Sequence, residues 1–282
     1  MIDYTQLLIL GAIAGFTIFI GLPLAAIKNV GSKAKGFLNA VSLGILVFLI
    51  IDIFSHAWES TEDIASDAFV GNVALSDGIL HLIALFGGIA IGLFGLAWYE
   101  HEATIKRVPQ ILSLENIKKG DDHLHQIFNE TNGYRLAMMI AVGIGFHNLA
   151  EGLSIGQSYA AGEVGLALLL IMGFATHNAT EGFGIASPMT GLLKKPTIRF
   201  IILLGLIGGG PTFIGTLLGS LWFSDITYIL SLSIAGGALI YVTMLMYNSG
   251  RKHTSNGIIM IGIFVGLVLG FGTDLIIHLG EL

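Results

Sequence analysis

The sequence contains no cysteine, and only 11% of its 282 residues are charged. The first absence excludes disulfides and thiolate metal sites, so any metal ligand must be histidine, carboxylate, amide, thioether or backbone oxygen. The second excludes an ordinary water-facing surface, because soluble domains carry about 25% charged residues. Most of the exterior must therefore meet lipid. What fills the chain instead is apolar: 54% of residues are hydrophobic and the mean hydropathy is +0.83. Glycine is abundant at 39 residues, which suits membrane helices that approach closely through small residues. The start, Met1-Ile2-Asp3-Tyr4, lacks a basic leader and runs straight into a full-length apolar span, so no secretory signal is expected there.

A membrane-crossing helix needs roughly 20 apolar residues. Eight segments qualify, at 5–27, 37–58, 78–99, 135–160, 164–187, 198–222, 226–247 and 257–279. The expected fold is an all-α, polytopic membrane protein with eight transmembrane helices in a single transporter-sized domain. The polar stretch 100–134 is expected to be a mobile loop. Every one of the 13 Lys and Arg falls on one side of such a topology. Lys28, Lys33 and Lys35 follow span 1, Lys106, Arg107, Lys118, Lys119 and Arg135 follow span 3, Lys194, Lys195 and Arg199 follow span 5, and Arg251 and Lys252 follow span 7. Basic residues mark the cytoplasmic side, which puts both termini outside and the protein in the cell membrane. Because topology accounts for the basic residues, they do not point to nucleic acid. The outer side is acidic, with Glu59, Glu62, Asp63, Asp67, Asp77, Glu163, Asp225 and Glu281. Such charges are either ordinary solvated loop residues or a weak funnel that concentrates cations at a mouth.

Two segments match each other 30 positions apart: His147-Asn148-Leu149-Ala150-Glu151-Gly152 and His177-Asn178-Ala179-Thr180-Glu181-Gly182. In each, His and Glu are four residues apart and project from one helix face. Counting about 1.5 Å per residue from Arg135 and from Glu163 puts His147 and His177 roughly 18 and 21 Å from opposite membrane faces. The connection between spans 4 and 5 is short, so they are antiparallel neighbours and the two motifs converge at mid-depth. A carboxylate near the bilayer centre costs about 2.5–3.5 kcal/mol or more. A divalent cation compensates two such groups and two imidazoles together, and N/O donors of this kind suit zinc, iron and manganese. The competing reading is a proton-bridged polar cluster that only joins the two helices.

The paired HNxxEG segments resemble the ZIP (Zrt/Irt-like protein) family of divalent-metal transporters, its prokaryotic members in particular. The resemblance implies that His147, Glu151, His177 and Glu181 line a first metal position. Asn148, Asn178 and the two shared glutamates would contribute to a second. It also implies uptake into the cytoplasm by movement of helices 1, 4, 5 and 6 as a block against helices 2, 3, 7 and 8. Three departures stand out. The proline common inside the family motif is replaced by Leu149-Ala150 and Ala179-Thr180. Gly210 precedes Pro211 where the family often has Glu, so the second position loses a carboxylate. Acidic residues often found late in helix 7 are replaced by Met244-Leu245-Met246-Tyr247.

Other polar residues lie within the spans. Asp52, His56 and Glu59 share a face near the outer end of span 2, as an entry or auxiliary metal station or as an interhelical contact. Asp274 and His278 repeat the four-residue spacing in span 8 and, with His81, are candidates for an outer cluster. Ser154 and Ser158 follow Glu151 one and two turns outward and are candidates for hydrating an ion on its path. His123 and His125 are candidates for a cytoplasmic metal receiver. The function expected is transport of a divalent transition-metal ion, zinc first, with iron, manganese or cadmium as other cargoes, and a homodimer as a candidate assembly. The rivals are an intramembrane zinc hydrolase, against which the absence of HExxH speaks, and a metal-stabilised membrane receptor.

Overall fold

A computed structural model describes residues 3–27, 31–111, 122–160, 162, 164–192, 194–222, 224–251 and 254–280. Some helical side chains lie outside the described set, among them those of His123, His125, His177 and His278. Apart from short turns and connections, the described residues are helical. Helix α1 runs Tyr4–Ala26, capped by Asp3, whose carboxylate accepts from the backbone N–H groups of Thr5 and Gln6. It is followed by α2 (Ser32–Val70), α3 (Leu75–Ile111), α4 (Asp122–Ala160), α5 (Val164–Ala186), α6 (Ile198–Leu221), α7 (Asp225–Gly250) and α8 (Asn256–Gly280). Among the described residues, six helices are long and apolar enough to cross a membrane, and α8 adds a shorter apolar run, Asn256–Gly272.

Two expectations need correction. The helix that carries the second span does not stop near residue 58. Helix α2 continues to Val70, because the acidic stretch after Trp58 contains neither glycine nor proline. It stops at Gly71, whose φ of 85° is the left-handed cap that glycine adopts without a Cβ penalty. The stretch expected as a loop from Glu100 to Tyr134 is also largely helical. Helix α3 carries on to Ile111 and α4 already begins at Asp122. Polarity alone does not end a helix, since Glu, Lys, Gln and Leu are good helix formers in water as in lipid.

The exterior is apolar in stripes. On α3, Ile83, Phe86, Ile91, Phe94 and Trp98 are exposed, and on α8 so are Ile261, Phe264, Val268, Phe271 and Leu275. Their spacing of three to five residues marks one face of each helix. A face of this kind is stable only against lipid, and the molecule is a multi-pass membrane protein.

Lipid supplies no hydrophobic drive between helices, so close van der Waals packing must hold them together. Glycines achieve it here by letting backbones touch. A Cβ on Gly152 would sit 2.2 Å from the Thr212 carbonyl oxygen, and one on Gly219 would sit 2.2 Å from that of Leu153. These contacts seal α4 against α6. Gly15 against Gly209 joins α1 to α6, and Gly182 against the Ile18 carbonyl joins α5 to α1. On the other side of the molecule, Gly44 and Gly266 seal α2 to α8, and Gly92 and Gly237 seal α3 to α7. The helices thus pack as two sets. One comprises α1, α4, α5 and α6, and the other α2, α3, α7 and α8. The sets meet where α4 lies on α7, α5 on α8 and α2 on α5.

Candidate metal centre

The two HNxxEG segments lie on α4 and α5, which pack against each other. His147, Asn148 and Glu151 come from α4 and Asn178 and Glu181 from α5, and all five are buried. The His147 Nε2 lies 3.2 Å from Glu151 Oε1 on its own helix and 3.8 Å from Glu181 Oε1 across the interface. Donor atoms about 2.1 Å from a common tetrahedral ion stand about 3.4 Å from one another, and the two measured spacings bracket that value. His177 is on α5 at the matching position, but its side chain lies outside the described residues. Among the described residues, which do not include the His177 side chain, no group of three His, Asp or Glu side chains is placed to hold a metal ion.

The two asparagines are both held by backbone carbonyls, and one of them also holds a carboxylate. Asn148 Nδ2 donates to Glu181 Oε2 and to the carbonyl of Gly208, both at 3.0 Å. Asn178 Nδ2 donates to the carbonyl of Ala14 at 2.9 Å. A backbone carbonyl can only accept, so the NH2 end of each amide must face it. Both Oδ1 atoms are left over. Among the described residues, Asn148 Oδ1, Asn178 Oδ1 and Glu151 Oε2 are buried and have no hydrogen-bond donor. Buried oxygen acceptors without donors are costly. The chemistry of this set, anionic and neutral oxygens beside an imidazole, fits a divalent cation. Two ionised glutamates would also balance its charge.

Helix α6 contributes shape. Pro211 lies inside the helix and supplies no N–H for the Ile207 carbonyl. Gly145 of α4 packs on that carbonyl, where a Cβ would come within 2.4 Å. Gly210, the slot noted for its missing carboxylate, is turned elsewhere. A Cβ there would meet nothing within 4 Å, and Leu203, Leu206 and Ile214 around it are exposed.

Other residues singled out by sequence are distributed unevenly. From α2, Asp52 stands near enough for its charge to act on both His147 and Glu181. His56 lies 3.5 Å from Asp52 and is half exposed. The pair therefore runs from the buried site toward the surface. Ser154 donates to the Ala150 carbonyl at 3.2 Å and lies near Tyr228 of α7; Ser158 is half-buried one turn further on. His81 is buried, with Nδ1 2.6 Å from the Asp77 carbonyl. Asp274 is half-buried, and the side chain of His278, like those of His123 and His125, lies outside the described residues.

Comparison with known proteins bears on this geometry. The chain is similar to the zinc transporter ZIP10 of Mus musculus. The two are 29% identical over 172 residues, a stretch that covers 57% of this chain and 20% of that protein. The chain thus corresponds to about a fifth of the length of this relative. No protein-family profile matches the chain.

Sequence reasoning missed several residues around the site. Tyr228 and the carbonyls of Ala14 and Gly208 contribute through contacts that depend on which helices pack together. The only local signal was a hydroxyl placed within an apolar span. Glu100, read as the first residue of a loop, pairs with Arg135 of α4 at 2.9 Å and also accepts a hydrogen bond from Tyr241 of α7.

Proposed function

We propose that this chain is an eight-span metal transporter of the ZIP family that carries divalent transition-metal ions, zinc foremost, into the cytoplasm. The observation that carries the reading is the meeting of His147, Glu151 and Glu181 from two helices, on the same motifs whose Asn148 Oδ1, Asn178 Oδ1 and Glu151 Oε2 are buried without a donor among the described residues. The similarity to a zinc transporter supports it. In this reading α5 and α8 complete the eight spans, the 13 basic residues mark the cytoplasmic side, and both termini are outside. A cation enters from the acidic face, passes His56 and Asp52, and loses its water to His147, Glu151, His177 and Glu181. Asn148 and Asn178 add neutral oxygens, which keep a second, weaker position without a carboxylate from α6.

The bilayer centre explains why the site needs its cargo. Each buried carboxylate is costly there, and neutralisation by a dication removes that cost while the ion is bound. Release then requires exposing the site to water on the other side. The division into two glycine-sealed sets gives the parts for this step. The set α1, α4, α5 and α6 holds the site and moves against α2, α3, α7 and α8. The donor set and the similarity to a transporter favour carriage over hydrolysis.

Uptake of several metals into sealed proteoliposomes tests the proposal. The wild type accumulates zinc, and the double variant Glu151→Ala/Glu181→Ala does not. Normal uptake by that variant would remove the site assignment.

A further inference from the structure

Helix α1 is broken at mid-length. Its α-helical turns end at Phe16 and resume at Ile18, with Thr17 between them. The Thr17 hydroxyl donates to the Ala14 carbonyl three residues back, at 2.7 Å. Back-bonding of this kind bends helices by diverting a carbonyl from the backbone ladder. The Ala14 oxygen then takes a second side-chain donor, Asn178 Nδ2, at 2.9 Å. A carbonyl has two lone pairs, and side chains occupy both. Immediately beyond the break, α1 is pressed onto the α5 motif. Gly182 meets the Ile18 carbonyl and Gly21 meets the Ala179 carbonyl, each so closely that a Cβ would clash. The break is thus held at a fixed place against α5.

This arrangement dictates how Asn178 presents itself. Its amide cannot flip, because two carbonyl oxygens would then face each other. Its Oδ1 must point away from α1, and it is buried without a donor among the described residues. Asn148 is held in the same sense by the Gly208 carbonyl.

We propose that Thr17 is a positioning residue of the ion site: by drawing the Ala14 carbonyl out of α1, it fixes the Asn178 amide with Oδ1 toward the cation. The inference rests on the transport reading above and deepens it. Neutral amide oxygen favours harder ions such as manganese more than it favours zinc, so Thr17 tunes metal preference without touching the metal.

The test uses the full chain, purified in detergent, with Mn2+ binding followed by its electron paramagnetic resonance signal and Zn2+ binding by competition with a chelator dye. Thr17→Val keeps the shape and removes the donor. It weakens Mn2+ binding by up to about tenfold, the worth of one hydrogen bond, and Zn2+ binding by less. Thr17→Ser retains wild-type affinities. Because a positioning role acts through one amide, Thr17→Val adds nothing in an Asn178→Ala background. Thermal melting reports folding, and Thr17→Ala replaces Thr17→Val should the latter not fold. Wild-type Mn2+ affinity in Thr17→Val, or an undiminished effect in the Asn178→Ala background, overturns the proposal. The site reading fails separately, if Glu151→Ala/Glu181→Ala binds both metals as the wild type does.

Discussion

Helix α4 has two kinds of neighbour, and they hold it in different ways. Against α6, backbone lies on backbone: Gly152, Gly156, Gly215 and Gly219 alternate across the seam, each facing a carbonyl oxygen of the other helix at a distance that excludes a side chain. Against α7, side chains intervene. A Cβ on Gly143 would meet Leu239 Cδ2 at 3.1 Å and Ala238 Cβ at 3.5 Å. Polar links flank this seam, Ser154 near Tyr228 of α7 toward the C-terminal end of α4, and Arg135, well inside α4, with Glu100 of α3, which in turn accepts from Tyr241 of α7. An interlocked backbone seam has one register, whereas a seam of methyl groups clasped at its ends can hold more than one. A change of conformation therefore costs least on the α7 side of α4.

The largest expected effect attacks the first seam. Gly152→Val places a branched side chain where a carbonyl sits, and overpacking of a tight interface costs about 1–3 kcal/mol or more. Thermal melting in detergent should fall by many degrees, and a wild-type melt would show that the seam is not rigid. Gly143→Ala at the second seam asks only that a leucine tip shift, so stability should stay within about 0.5 kcal/mol while the zinc uptake rate changes. A large loss of stability there would erase the distinction.

Acid is expected to have the next effect, and it acts on the ion rather than on the seams. Imidazole must be neutral and carboxylates ionised to bind metal. Protons therefore compete, and affinity falls as pH is lowered. Titrating zinc binding at about pH 5 and about pH 7.5 checks this; equal affinities would rule out His147 and the glutamates as ligands. The smallest effect is expected at the inner clasp. Arg135→Gln removes one partner of a mostly enclosed ion pair. It should alter the maximal uptake rate and leave metal affinity as it was. A drop in affinity would mean that the pair supports the site and not the seam.

The sequence exposed what is local and repeated. The HNxxEG pair and the apolar runs depend on spacing within one helix, and spacing is visible in a linear string. The junctions were not. Thr17 looks like any hydroxyl in a lipid-facing run until α5 is placed beside it, and Glu100 looks like a loop residue until Arg135 and Tyr241 are. The overextended α2 and the helical continuation after Glu100 were missed for a different reason. Loss of hydrophobicity signals the edge of the membrane, and the helix has no reason to end there.

That overextension has a practical consequence. Helix α2 holds 39 residues without interruption, about 58 Å of rod against a hydrocarbon layer of about 30 Å. Roughly half of its length exceeds what that layer needs, and the turn at Gly71 marks its far end. A small tilt of the helix is enlarged at that distance. A spin label or fluorophore on a cysteine introduced at Asn72, in a chain with no other thiol, would read the motion of its helix set from outside the membrane.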